Sequence, residues 1–139
     1  MRAHPDCVFA GFFSRDEIGR YYASADIYVH ASLTETFGNV LTEAMASGLA
    51  SVGFDYAAAR VFIRDGESGL TAPCDQPEKL VAAAARLVTD PALRNRLRTA
   101  GRAAVEAQSW ETVISRFEAE LEGVAGVAHT PAGPAPVLV

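Results

Sequence analysis

The 139-residue chain contains no apolar run approaching the ~20 residues that a helix needs to cross a bilayer. Its start, Met1-Arg2-Ala3-His4-Pro5, lacks the apolar stretch of a signal peptide, so cytoplasmic residence is the default expectation. Cysteine is scarce: Cys7 and Cys74 are too far apart to form a metal-spaced pair, both read as buried or incidental thiols, and no metal is expected. Positive charge is outnumbered, with 12 Lys and Arg against 17 Asp and Glu. The resulting net charge of −5 argues against nonspecific binding to nucleic acid or to an anionic membrane surface. There is no internal repeat, no acidic cluster after the first apolar run of the kind a receiver domain needs, and no Gly-rich phosphate loop at the start. What is present is a composition 50% hydrophobic and 21% charged, the profile of one globular domain with a core.

Short apolar runs recur along the chain at Cys7-Val8-Phe9-Ala10, Ile27-Tyr28-Val29-His30, Ser51-Val52-Gly53-Phe54 and Gly69-Leu70-Thr71-Ala72, and these are the candidate strands. Between the first three lie segments long enough for crossover helices, roughly Arg15–Ser24 and Asn39–Ser47. That alternation predicts an α/β fold, with parallel strands and helices on both faces. Three helix starts follow: a capping-box pattern in Asp75-Gln76-Pro77-Glu78, an N-cap with proline at the first helical position in Asp90-Pro91, and Ser109. Leu80, Val81, Ala84, Leu87 and Val88 share one helical face, as do Val113, Ile114, Phe117 and Leu121, and both faces are expected to pack on something. From about Gly123 the chain turns to alanine, glycine and proline, which predicts a disordered tail over residues 126–139.

The stretch Glu35-Thr36-Phe37-Gly38-Asn39-Val40-Leu41-Thr42-Glu43 places two carboxylates eight positions apart, around a glycine turn into a helix. In an open parallel sheet, ligands bind beyond the carboxyl ends of the strands, and Glu35 follows the strand ending near His30 by five residues. At 100° per residue, Phe37, Val40, Leu41, Ala44, Met45 and Gly48 cluster on one side of that helix, while Thr36, Asn39, Glu43 and Ser47 form a polar stripe. Carboxylates accept charge-assisted bonds from sugar hydroxyls, and the free N–H groups of a helix start favour an anion between them. The layout suits a nucleotide sugar, but the spacing alone equally fits a solvated helix face after an ordinary βα turn.

The stretch Ser32-Leu33-Thr34-Glu35-Thr36-Phe37-Gly38-Asn39-Val40-Leu41-Thr42-Glu43-Ala44-Met45-Ala46-Ser47-Gly48 resembles the signature of retaining GT-B glycosyltransferases of the group 1 type. Flanking segments agree in order: Gly11 to Tyr22 resembles the loop and helix below the base site, and Phe54-Asp55-Tyr56 precedes a turn followed by Arg64-Asp65-Gly66-Glu67-Ser68-Gly69-Leu70. The version reading Thr-Glu-Thr-Phe-Gly-Asn-Val is most familiar from α-mannosyltransferases that use GDP-mannose. The resemblance implies that residues 1–125 form part of a nucleotide-sugar-binding C-terminal domain, a Rossmann-like sheet with flanking helices. Glu35 would contact the donor hexose near the reaction centre, and backbone N–H groups at Phe37, Gly38, Asn39 and Val40 would face the hexose and diphosphate. Glu43 would take both ribose hydroxyls. The loop Phe12-Phe13-Ser14 would lie against the base through backbone groups, although as plain structure Phe12 and Phe13 read as core or partner contacts and Ser14 as a helix cap.

The implied reaction moves a hexosyl group from a GDP-sugar or UDP-sugar to an acceptor hydroxyl with retention, and needs no cofactor. The partners expected are the nucleotide sugar, an N-terminal acceptor domain or a second copy of the chain, and no nucleic acid. In the family, an Arg and a Lys that hold the diphosphate precede the segment matched by Val8–Gly11, so both, with the acceptor domain, are expected to be missing. At ~1.5–3 kcal/mol for each charge-assisted contact, donor affinity would fall by roughly 10²–10⁴. The chain alone is therefore expected to be inactive, or else to be a non-catalytic recognition subunit of a split enzyme. Other departures are Ala31 where proline is usual and Ala50 in a similar case, Ala57-Ala58 in place of a glycine pair, Val61 where glutamate is common, and His30 at an aromatic position, where it is expected to pack.

Overall fold

The structure, a computed structural model, describes residues 4, 6–34, 38–108 and 110–125. It divides into two units, residues 1–106 and 107–139. In the first, three parallel strands, β1 (Ile27–His30), β2 (Ala50–Phe54) and β3 (Leu70–Ala72), lie side by side in sequence order. Ile27 pairs with Ala50 and His30 with Gly53, while Val52 pairs with Leu70 and Phe54 with Ala72. Parallel neighbours need crossovers. These are α2 (Asn39–Ala46) between β1 and β2, and α3 (Ala57–Phe62) between β2 and β3. Helix α1 (Arg15–Ser24) precedes β1, while α4 (Pro77–Thr89) and α5 (Pro91–Glu106) follow β3.

Side chains on β2 alternate between two cores, which is why all five of its residues are buried. Ala50, Val52 and Phe54 join Leu70 and Ala72 of β3 against Leu80 and Leu87 of α4 and Leu97 of α5. The opposite face is covered by Leu41 and Met45 of α2, Ala58 and Ala59 of α3, and Ile63. Each fully buried leucine contributes about 1.5–3 kcal/mol. Helix α5 reaches this close only because residue 101 is glycine: a Cβ there would stand 2.6 Å from the Ser68 carbonyl oxygen. Arg98 ties α5 to the end of α2, its Nε donating to the Gly48 carbonyl at 2.7 Å.

The predicted α/β class, with helices on both faces of a parallel sheet, is what the structure has. Four details differ. The run Cys7–Ala10 forms no strand: among the described residues no neighbour offers it a ladder, and Val8 and Phe9 are exposed, as are the thiols of Cys7 and Cys74. The capping pattern at Asp75 is displaced by one, since Gln76 is the N-cap and Pro77 opens α4. On α4 the buried stripe is narrower than its apolar residues, because Val81 and Val88 turn outward while Leu80 and Leu87 meet the sheet. Helix α3 has no counterpart among the expected elements.

Asp90 caps α5 as expected, its Oδ1 accepting from the Leu93 N–H at 2.9 Å. Ser109 lies outside the described residues, as do 126–139. Within the second unit, α6 (Trp110–Ala125) carries Val113, Ile114, Phe117 and Leu121 along one face. Among the described residues no helix is long and apolar enough to cross a membrane.

Candidate functional site

Glu35, Thr36 and Phe37 lie outside the described residues, so the site is built from what flanks them. Gly38 is the N-cap of α2, buried, with φ 84° and ψ 30°. A Cβ in this left-handed region costs roughly 1–2 kcal/mol, so glycine lets the chain turn here from the carboxyl end of β1 into the helix. The Gly38 carbonyl accepts from Leu41 and Thr42 N–H at 3.0 and 3.2 Å. By helix geometry the preceding N–H groups, those of Gly38, Asn39 and Val40, lack an intrahelical acceptor and carry the positive end of the helix dipole. Val40 is expected on the buried side, but it is exposed, beside Asn39.

One turn along α2, about 6 Å from Asn39 by helical rise, stands Glu43. It is half-buried because α1 packs beside it. Tyr22 of α1 fills the space against Ala44 and Leu49, with Ile18, Ala25 and Tyr28 around them. Ile18, Gly19 and Tyr22 form one wall of an open groove of about 310 Å³, and Glu43, Ala46 and Ser47 form the other. Of the polar stripe expected at Thr36, Asn39, Glu43 and Ser47, Thr36 lies outside the described residues, and Glu43 and Ser47 line this groove.

Phe12 and Ser14 do not line it. The Phe12 side chain is fully exposed, whereas Phe13 stacks on Tyr21 with ring centroids 4.3 Å apart. Ser14 caps α1: the Glu17 carboxylate accepts from its hydroxyl at 2.7 Å and from its N–H at 2.9 Å. Those two bonds hold the Glu17 carboxyl below its ordinary range, that from the hydroxyl contributing most. His30, at the end of β1, is buried with its Nδ1 3.3 Å from the Tyr28 hydroxyl, the packing position expected of it.

At the carboxyl end of β2, the Arg60 guanidinium pairs with the Asp55 carboxylate at 3.0 Å and donates to the Asp55 carbonyl at 2.7 Å. It folds the β2–α3 loop onto itself. The turn residue Ala57 has φ 43°, the one non-glycine residue with positive φ among those described.

Tyr22 was not among the expected site residues. On the sequence it reads as an apolar position of α1, one turn after Ile18. Nothing there signals that its ring fills the space between α1 and α2. Burial, with a smaller effect of the Glu43 charge, pushes its ionisation above the ordinary tyrosine range, so it stays a neutral hydrogen-bond donor.

The family model for glycosyl transferases group 1 matches residues 3–104. A phosphatidyl-myo-inositol mannosyltransferase of Mycobacterium tuberculosis is 41% identical over 118 residues, 80% of this chain and 31% of that protein. A GDP-mannose-dependent alpha-mannosyltransferase of the same species is 36% identical over 131 residues, 94% of this chain and 34% of that one. Among solved structures, sucrose-phosphate synthase from Thermosynechococcus elongatus superimposes with a TM-score of 0.72 at 28% identity, over 86% of this chain and 30% of its own. The chain thus spans about a third of the length of the curated relatives it matches. With the family model covering most of its length, the chain belongs to the group 1 glycosyltransferases.

Proposed function

We propose that this chain is the donor-binding part of a retaining glycosyltransferase that moves a hexosyl group, best read as mannosyl, from a nucleoside diphosphate sugar to an acceptor hydroxyl. The observation that carries the reading is the start of α2, where Gly38, Asn39 and Val40, whose N–H groups have no intrahelical acceptor, stand one turn before Glu43 and its groove. A diphosphate takes the helix start and a ribose diol takes the Glu43 carboxylate. Glu35 serves the hexose, and the backbone at Phe12 and Ser14 serves the base. The GDP-mannose dependence of one relative favours guanosine as the base.

The barrier to transfer is charge separation: positive charge grows on the sugar ring as negative charge grows on the departing diphosphate. Preorganised donors at the phosphates lower it. A helix N-terminus contributes about 0.3–1 kcal/mol when exposed and up to ~2 when partly buried, too little on its own. Arg60, the cation at the β2 end, is already committed to Asp55. Recognition without turnover is therefore the expected behaviour of the isolated chain.

Calorimetric titration with GDP-mannose and with UDP-glucose, followed by an assay for transfer to a panel of acceptor hydroxyls, tests this. Saturable binding of one donor without transfer supports it. Binding of neither contradicts donor recognition, and genuine turnover contradicts inactivity. A second reading, a recognition subunit that completes its site with a partner, is favoured by the exposed row Val8, Phe9 and Phe12. A strictly monomeric chain that captures no partner counts against it.

A further inference from the structure

Gly19 stands in the middle of α1, where glycine is the least favourable residue after proline because it gives up the most backbone freedom on folding. Two reasons commonly keep a glycine in place, and neither applies to it. Its backbone is helical, not left-handed like that of Gly11, Gly38, Gly48 and Gly66. Nor does packing exclude a side chain: an added Cβ would meet no heavy atom within 4 Å, whereas at Gly53, Gly69 and Gly101 it would stand 3.0, 2.7 and 2.6 Å from its nearest neighbour. Gly123, near the end of α6, shares this freedom, but Gly19 differs in lining the groove that holds Glu43.

Tyr22 is buried, so the part of the α1 wall that a ligand in the groove meets is the half-buried Ile18 and the exposed Gly19, opposite Glu43, Ala46 and Ser47. A glycine has only backbone atoms. The groove therefore reaches the α1 main chain at Gly19, and any side chain there would cover that surface and narrow the space in front of Glu43. We infer that Gly19 is a clearance residue for the nucleoside: its missing side chain leaves room for the ribose that Glu43 holds, with the apolar face of the nucleoside against Ile18, at a cost in helix stability that the fold itself does not require. This rests on Glu43 being the ribose ligand.

The test is calorimetric titration of the parent, Gly19→Ala, Gly19→Leu, Ala23→Leu and Glu43→Ala with GDP and with GDP-mannose, alongside the melting temperature of each ligand-free protein. Ala23 is an exposed position of α1 that does not line the groove, and serves as the control. Both Gly19 variants are expected to melt higher than the parent, since each places a better helix former in open space. Gly19→Leu is expected to bind both ligands at least about tenfold more weakly, Gly19→Ala to lose less, and Ala23→Leu to bind as the parent does. Undiminished GDP binding by Gly19→Leu overturns the inference, as does an equal loss in Ala23→Leu, or a loss confined to GDP-mannose, which would put Gly19 at the hexose. A lowered melting temperature in Gly19→Ala also overturns it, since the fold would then need the glycine. If Glu43→Ala weakens GDP while Gly19→Leu does not, the inference alone falls. If Glu43→Ala leaves GDP unweakened, or if the parent binds neither ligand, the ribose reading falls and takes the inference with it.

Discussion

At Ala57, the first residue of α3, an alanine holds the backbone in the left-handed region with φ 43°. The family resemblance puts a glycine pair at this turn, and the chain keeps the geometry without the residue that suits it. The strain is roughly 1–2 kcal/mol, against which glycine would lose about 0.4–1 kcal/mol through the freer unfolded chain. Ala57→Gly is therefore expected to stabilise the fold by up to about 1 kcal/mol in chemical denaturation. A loss of stability by the ~0.4–1 kcal/mol of the freer unfolded chain would show that the turn is not strained. The opposite case is Gly101, where an added Cβ would stand 2.6 Å from backbone at Ser68 and no side chain can swing away. Gly101→Ala should cost about 1–3 kcal/mol, the range for overpacking a close contact. A melting curve unmoved by it would mean that α5 slides freely on the Ser68 turn.

Among the elements, α1 forms the groove wall opposite α2, and the Ser14–Glu17 pair starts it. Because the folded state lowers the Glu17 pKa, the unfolded chain binds the proton more readily as the pH falls. The contribution is thus fully present above the ordinary glutamate value of about 4.3 and is lost as pH falls through the lowered value. Thermal melts of the parent and Glu17→Gln should differ at neutral pH and converge in acid. A difference that is constant with pH would detach the cap from that charge.

Elements with strong local signals were legible in the sequence: α1 from its Ser14 cap, β1 from Ile27–His30, α2 from Gly38, and α5 from Asp90-Pro91. Helix α3 was not, because its six residues start at a strained alanine and its N-cap, Tyr56, makes no side-chain capping bond. The run Cys7–Ala10 misled because a strand is defined by a neighbour, which four apolar residues do not encode. That Glu43 and Ser47 share one side of α2 followed from helical period alone. The part played by Tyr22 depends on α1 meeting α2, a tertiary contact that no local pattern carries.

For the whole molecule, net charge works against the proposed ligand. A chain of net charge −5 does not attract a nucleoside diphosphate at long range, so recognition falls to short-range groups at the start of α2 and in the α1–α2 groove. On the proposed reading two carboxylates divide the ligand between them, Glu43 taking the ribose and Glu35 the hexose. The most direct test is titration of the parent, Glu43→Ala and Glu35→Ala with GDP and with GDP-mannose. Loss of a charge-assisted contact corresponds to about tenfold or more in affinity. Glu43→Ala should therefore weaken both ligands by that much, and Glu35→Ala should weaken GDP-mannose more than GDP. Equal losses for both ligands in both variants would contradict the account.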